Sequence, residues 1–209
     1  MSRVFITILL LGVFTSIACA APNWVDISAK VIQSLSILTV NVNQDNVVGY
    51  GDCTAFSINQ AHHFYLTAAH CNGVDMRLGG YPVQIMLIDE LKDLLVLQVP
   101  QLDQPILKLA TKPVKMGQEV AAYGFEYGWP EPFIKHGLVG VPHLVNKTFG
   151  NRDLTMFNFS DIVGMSGGPV VDTKGNVVSI VQQANRDGQA SIGADLDTLR
   201  KVVGIYWTE

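Results

Sequence analysis

The sequence predicts an all-β fold, and three observations carry the prediction. Nine short runs are rich in Val, Ile, Leu, Thr, Phe and Tyr, the residues that fit a pleated, half-buried surface. Each run is bounded by Gly, Pro, Asn or Asp, so the turns recur at close intervals. Only two segments carry apolar residues at helical spacing. Many short strands with regular turn signals define a sandwich or a barrel.

In chain order, WVDISAKVIQS (24–34) reads as a helix. Strands follow at LSILTVNV (35–42), CTAFSI (53–58), FYLTAA (64–69), YPVQIMLI (81–88) and LLVLQV (94–99). The polar, proline-containing stretch 100–115 then divides the chain and is the expected linker between two β units, residues 21–105 and 106–209. Strands resume at QEVAAYGF (118–125), GLVGVPHLV (137–145), LTMFNF (154–159) and NVVSIVQQA (176–184). The last element, 195–204, is a short C-terminal helix. It begins on an Asp195 cap and ends at Gly204, with Arg200 and Lys201 in its final turn.

The first twenty residues differ from the rest. Arg3 precedes an apolar run of eleven, residues 4–14, and Ala18 and Ala20 then supply an A-x-A cleavage pattern. This is a secretory signal peptide, residues 1–20, too short to be a membrane span. The rival reading is a lipoprotein signal with Cys19 as the lipidated residue, although Ser16 stands where such signals usually carry leucine. No later run reaches eighteen apolar residues, so no stable membrane insertion is expected after cleavage. The product is expected to be secreted or periplasmic, with a lipid anchor through Cys19 as the minor alternative. Cys53 and Cys71 remain as an even pair. In an oxidising compartment one disulfide is the default, against two buried free thiols.

With 209 residues, 48% of them hydrophobic, the chain can build a substantial core. A formal net charge of −4 and the lack of a basic stripe argue against nucleic-acid binding. No spacing among His62, His63, His136 and His143 suggests a metal site.

The most informative stretch is DIVGMSGGPVVD, 161–172, where Gly164, Gly167 and Gly168 surround Ser166. Glycine loses the most conformational entropy on folding, so three around one hydroxyl need a reason. A serine nucleophile requires a base and backbone N–H donors aimed at a developing oxyanion. Bare backbone can line that hole; a glycine-rich β-turn would otherwise explain the run. Two further stretches favour the chemistry. YLTAAHC (65–71) ends a strand on His70, where a general base can be held rigidly. DELKDLLVLQV (89–99) places Asp93 at the head of a strand, ahead of its rivals Asp89 and Asp103. The order His, Asp, Ser is one in which this constellation recurs.

With these motifs the chain resembles the trypsin/chymotrypsin-like serine peptidases. TAAHC and GMSGGP match that family's histidine and serine motifs almost letter for letter. DLLVLQV, VKMGQEVAAYGF, SGGPVVDTKGNVVSIVQQ and IGADLDTLRKVV are similar to its bacterial HtrA-like branch, over roughly residues 28–203. The resemblance implies two six-stranded antiparallel β-barrels with the active site between them, and an exported serine endopeptidase acting on polypeptides without a cofactor. It implies Ser166 as nucleophile, His70 as general base, Asp93 as its orienting partner, and the N–H groups of Gly164 and Ser166 as oxyanion hole. Cys53 and Cys71 match a disulfide that many secreted members carry beside the histidine. By resemblance, Ser160 would floor the pocket for the side chain preceding the scissile bond. Ile180, Val181, Gln182 and Gln183 with Ile192, Gly193 and Ala194 would wall it, and the backbone at 181–183 would bind substrate as an added strand. Apolar walls without a carboxylate at Ser160 imply preference for small or medium apolar residues, with Asp161 as the exception to watch.

The chain departs from its relatives in two places. With its last residue at Glu209, it is not expected to carry the PDZ domain typical of HtrA-like proteins. Met165 stands where digestive members carry an activating aspartate. The competing reading from another class is a catalytically weak peptide-binding or chaperone-like module on a protease fold. Such modules usually lack a triad member, and here all three are present.

Overall fold

The computed structural model describes residues 21–44, 47–146, 152–185 and 187–207 (for residues 42–44, 47–50 and 146 the backbone only). The signal peptide expected at 1–20 lies outside the described residues. Strands dominate, as the alternation of apolar runs and turn residues predicts. The N-terminal helix α1, Trp24–Ile32, is capped by the Asn23 side chain, which accepts from the Asp26 N–H. It buries Ile27 and Val31.

Seven strands then build one antiparallel sheet. They are β1 (Leu35–Gln44), β2 (Val47–Asn59), β3 (Phe64–Thr67), β4 (Val74–Leu78), β5 (Tyr81–Pro82), β6 (Gln84–Asp89) and β7 (Leu94–Gln98). Their spatial order is β5-β4-β1-β2-β3-β7-β6. A second antiparallel sheet contains β8 (Glu119–Gly124), β9 (Phe133–Asn146), β10 (Arg152–Phe157), β11 (Pro169–Asp172), β12 (Val177–Ile180), β13 (Gln183–Ala184) and β14 (Ser191–Ala194). Its order is β12-β11-β8-β9-β10-β14-β13. Each sheet therefore has six longer strands and one of two residues, β5 and β13. The strand expected at 81–88 is broken at Val83 into β5 and β6. The one expected at 176–184 is broken into β12 and β13. The C-terminal helix α2, Leu196–Val203, starts on Asp195, whose side chain accepts from the Thr198 N–H at 2.8 Å.

The core has three parts. One belongs to the first sheet and the turns beside it and includes Leu38, Tyr65, Leu78, Leu95 and Leu97. One belongs to the second sheet and includes Val120, Ala122, Phe157, Met165 and Val170. The third is shared: Phe56, Leu66 and Val96 of the first sheet pack with Tyr123, Val177 and Ile180 of the second and with Leu199 of α2. The expected boundary at residues 105–106 falls in the connection between β7 and β8. That connection is held at Leu107, whose N–H donates to the Ser57 carbonyl, and at Leu109, which bridges to Val177.

Candidate active site

Pairing in the first sheet explains why His70 and Asp93 meet. β3 and β7 run antiparallel with Thr67 opposite Leu95. A residue just beyond the end of β3 and one just before the start of β7 therefore lie at the same sheet edge. The chain turns tightly after β3 in a 3-10 turn, Ala69–Cys71. His70 Nδ1 lies 3.0 and 3.1 Å from the two Asp93 carboxylate oxygens. Asp93 Oδ1 also accepts the His70 backbone N–H at 2.8 Å. The Asp93 side chain is 8% exposed and the His70 side chain 45%. A carboxylate anchored on both backbone and ring fixes Nδ1–H as the donor and leaves Nε2 facing outward as an acceptor. Asp89 instead caps the β6–β7 turn through the Lys92 N–H, and Asp103 accepts from Gln60.

Ser166 lies in the connection from β10 to β11, which forms two successive tight turns. The Met165 N–H donates to Ile162 O at 3.0 Å, and the Gly168 N–H to Met165 O at 2.9 Å. The third residue of each turn is a glycine at positive φ, Gly164 at 100° and Gly167 at 81°. Turns of this kind demand glycine there. A side chain at Gly164 would strike the Phe125 carbonyl, and one at Gly167 the Thr67 hydroxyl and the Thr54 carbonyl. The Met165, Gly167 and Gly168 N–H groups are all bonded within the protein. Among the described residues, no such partner is found for the N–H groups of Gly164 and Ser166.

Thr54 of β2 ties this loop to the first sheet, a role that no local motif marks. Its N–H donates to Ser166 O at 2.8 Å, and its hydroxyl donates to Gly164 O at 2.8 Å. The same hydroxyl accepts the Phe125 N–H at 2.9 Å. Cys71, the residue after His70, places Sγ 4.0 Å from Ser166 O. Cys53 and Cys71 form a disulfide with Cα atoms 6.2 Å apart. It joins β2, beside Thr54, to the turn that carries His70. Both sulfurs lie within 4.8 Å of a His70 ring nitrogen, but their covalent bond leaves no thiolate to ligate a metal.

A cavity of about 530 Å³ opens beside this pair, lined by Ala69, His70, Glu90, Arg152, Gln182 and Gln183 among others. Gln183 lies on β13, an edge strand of the second sheet. The Gln182 side chain turns inward and is 3% exposed. Ser160 is exposed and lines a separate hollow with Lys135, His136 and Gln189. Ile180, Val181 and Ala194 are at most 1% exposed and Ile192 5%, so their side chains belong to the core. A side chain at Gly193 would strike the Ile180 carbonyl, which keeps β14 tight against β12. Asp161 accepts from the Ser191 hydroxyl at 3.5 Å, while its Oδ1 is buried without a hydrogen-bond partner. Burial holds the Asp161 carboxyl above the usual carboxylate range, partly offset by its own backbone N–H, by Ser191 and by the charge of His70.

The family described as the trypsin-like peptidase domain matches residues 53–180. The chain belongs to that family. Its fold is similar to that of the active form of the Rv3671c protease from M. tuberculosis, with a TM-score of 0.73, 21% identity, and 91% of this chain and 90% of that one covered. It is also similar to the HtrA-type protease AlgW, solved with a tripeptide (TM-score 0.72, 17% identity, 87% of this chain and 62% of that one). The serine endoprotease from Yersinia pestis matches at TM-score 0.70 and 16% identity, over 87% of this chain and 65% of that one. No curated protein matches in sequence. These likenesses bear on fold: two antiparallel β units of the chymotrypsin-like kind, with a short C-terminal helix. Among the described residues no helix is long and apolar enough to cross a membrane.

Proposed function

We propose that the protein is an exported serine endopeptidase that cleaves polypeptides through an acyl-enzyme on Ser166. The observation that carries the reading is the buried Asp93 carboxylate on His70 Nδ1, with the Ser166 loop bonded to the neighbouring β2. In this reading Ser166 Oγ attacks the scissile carbonyl carbon while His70 Nε2 takes the hydroxyl proton. His70 passes that proton to the leaving amine as the C–N bond breaks, and the acyl group stays on Ser166. Water then attacks the ester with His70 again as base, which releases the acid and restores the hydroxyl. Asp93 stays ionised, holds the ring tautomer and stabilises the transient imidazolium. The N–H groups of Gly164 and Ser166, without a partner among the described residues, receive the oxyanion.

The open edge at β13 supports binding of substrate as an added strand along 181–183. The disulfide supports export to an oxidising compartment, in keeping with the sequence of residues 1–20. A fluorophosphonate probe tests the reading. It should label the parent at Ser166 and leave Ser166→Ala unlabelled, and casein turnover should fall by several orders of magnitude in that variant. Undiminished casein digestion by Ser166→Ala would overturn the assignment.

A further inference from the structure

The turn that presents Asp93 is held from the opposite sheet. It joins β6 to β7 through Glu90, Leu91, Lys92 and Asp93, and Asp93 itself sits in the left-handed region at φ 56°. A left-handed non-glycine residue persists only where its surroundings fix it. Two side chains of the second sheet take all four carbonyls of this turn. Arg152, at the start of β10, donates from NH2 to Glu90 O at 3.0 Å and from Nε to Leu91 O at 2.6 Å. Gln182, between β12 and β13, donates from Nε2 to Lys92 O and to Asp93 O, each at 2.8 Å. The remaining guanidinium nitrogen, NH1, stands 3.6 Å from Asp93 Oδ2, the oxygen 3.0 Å from His70 Nδ1.

We propose that Arg152 and Gln182 are positioning residues, a two-point clamp by which the half of the molecule carrying Ser166 sets the place of Asp93 and hence of His70. The proposal rests on the triad reading above. The planar guanidinium reaches three acceptors from one position, which a lysine ammonium cannot do. The clamp also brings a permanent cation to the carboxylate, where it opposes a proton on His70. The other charged groups around the pair are Glu90 and Lys92 in the turn, Asp153 beside Arg152, and Asp161 in the loop before Ser166. Asp153 is engaged at 3.9 Å by both Lys92 and His143. Arg152 reaches the Asp93 carboxylate directly.

The test uses the full chain, a chromogenic peptide substrate and the fluorophosphonate probe. Arg152→Gln should lower kcat roughly 10- to 100-fold with KM changed less than about threefold, since loosening the orienting group costs less than losing it. The acid limb of its kcat/KM profile should move to higher pH by roughly half a unit or more, because the opposing cation is gone. Arg152→Lys should return that limb towards the parent position while recovering only part of kcat. Gln182→Met, which removes donors but no charge, should lower kcat and leave the limb where it was. If Arg152→Gln does not fold, Gln182→Met carries the kcat test by itself. A parent that fails to label overturns the reading of the site and this proposal together. A labelled parent whose Arg152→Gln and Gln182→Met variants turn over within about twofold of it overturns the clamp alone. A loss confined to KM also overturns it, by placing both residues in substrate binding.

Discussion

At the scale of single residues the site contains one carboxylate that its surroundings do not satisfy. Asp161 has one oxygen buried without a partner and a weak hydrogen bond on the other. Burial raises its carboxyl above the ordinary value, so between that value and the raised one the folded chain binds more protons than the unfolded chain. Stability then falls as pH rises through this window. The favourable contribution is complete below the ordinary carboxylate range and is lost above the raised folded value. Asp161→Asn keeps an acceptor for Ser191 and removes the charge. Its melting temperature should exceed the parent's near pH 7, and the gain should vanish near pH 3. The gain should be modest, because the group is partly exposed and solvent screens it. A difference of equal size at both pH values would show that ionisation is not its source. The same carboxylate bears on specificity. The side chains expected to make an apolar pocket wall, Ile180, Val181 and Ala194, lie in the cores, while the Asp161 carboxyl lies close enough to His70 to feel its charge.

At the scale of elements, the disulfide fastens β2 to the short turn bearing His70. The cysteines are separated by 18 positions, and closing a loop of that length is worth roughly 3 kcal/mol in the chain-entropy description. Cys53→Ser/Cys71→Ser should therefore melt roughly 6–12 °C lower than the parent. It should also turn over more slowly, because Thr54 and His70 lose their shared anchor. Unchanged melting on reduction would show that the bond constrains nothing the fold does not already fix. Strands with continuous apolar runs are legible in the sequence: LLVLQ of β7 is almost wholly buried and its run predicts a strand. Those that went unread lack such runs. β4, VDMRL, buries only Met76 and Leu78. β11 opens on Pro169, and β14, SIGA, carries a glycine because Ile180 approaches its backbone. The pairing of His70 with Asp93 and the glycine-bearing turns around Ser166 are legible because each residue sits in a short motif whose composition is costly to keep for structure alone. The bonds made by Thr54 and Arg152 are not, and Gln182 is expected only as part of a pocket wall, not as a donor to the Asp93 turn. Each acts through partners 61 to 110 positions away in the chain, and nothing local marks a threonine, arginine or glutamine that will make such a bond.

At the scale of the whole molecule, the two sheets share a core and the site spans both, so α1 joins a structure already tied together. The question is whether a free N-terminus is needed to shape the loop around Ser166. The residue before Ser166 is Met165, fully buried in the core of the second sheet and in contact with Gly124 at one end of β8. An ammonium brought there would meet a thioether and aliphatic neighbours, and an unpaired buried charge costs several kcal/mol. The chain instead enters at Trp24, whose ring packs edge-on against His136, 4.6 Å between centroids. His136 pairs with Ala121, and Trp24 shares a hollow with Glu119 and Val120 at the other end of β8. Three to five residues of strand, roughly 10–16 Å, thus separate the entering chain from Met165. Inside the protein, the loop is held by Thr54, by the Val181 carbonyl that accepts from Gly167, and by the Val163 carbonyl that accepts from Tyr127. None of these bonds involves a terminus. Residues fused ahead of Ala21 should therefore leave fluorophosphonate labelling of Ser166 at the rate of the unextended chain 21–209. Labelling that appears only after proteolytic trimming of the extension would show that a new N-terminus does shape the loop, by a route other than pairing at residue 165.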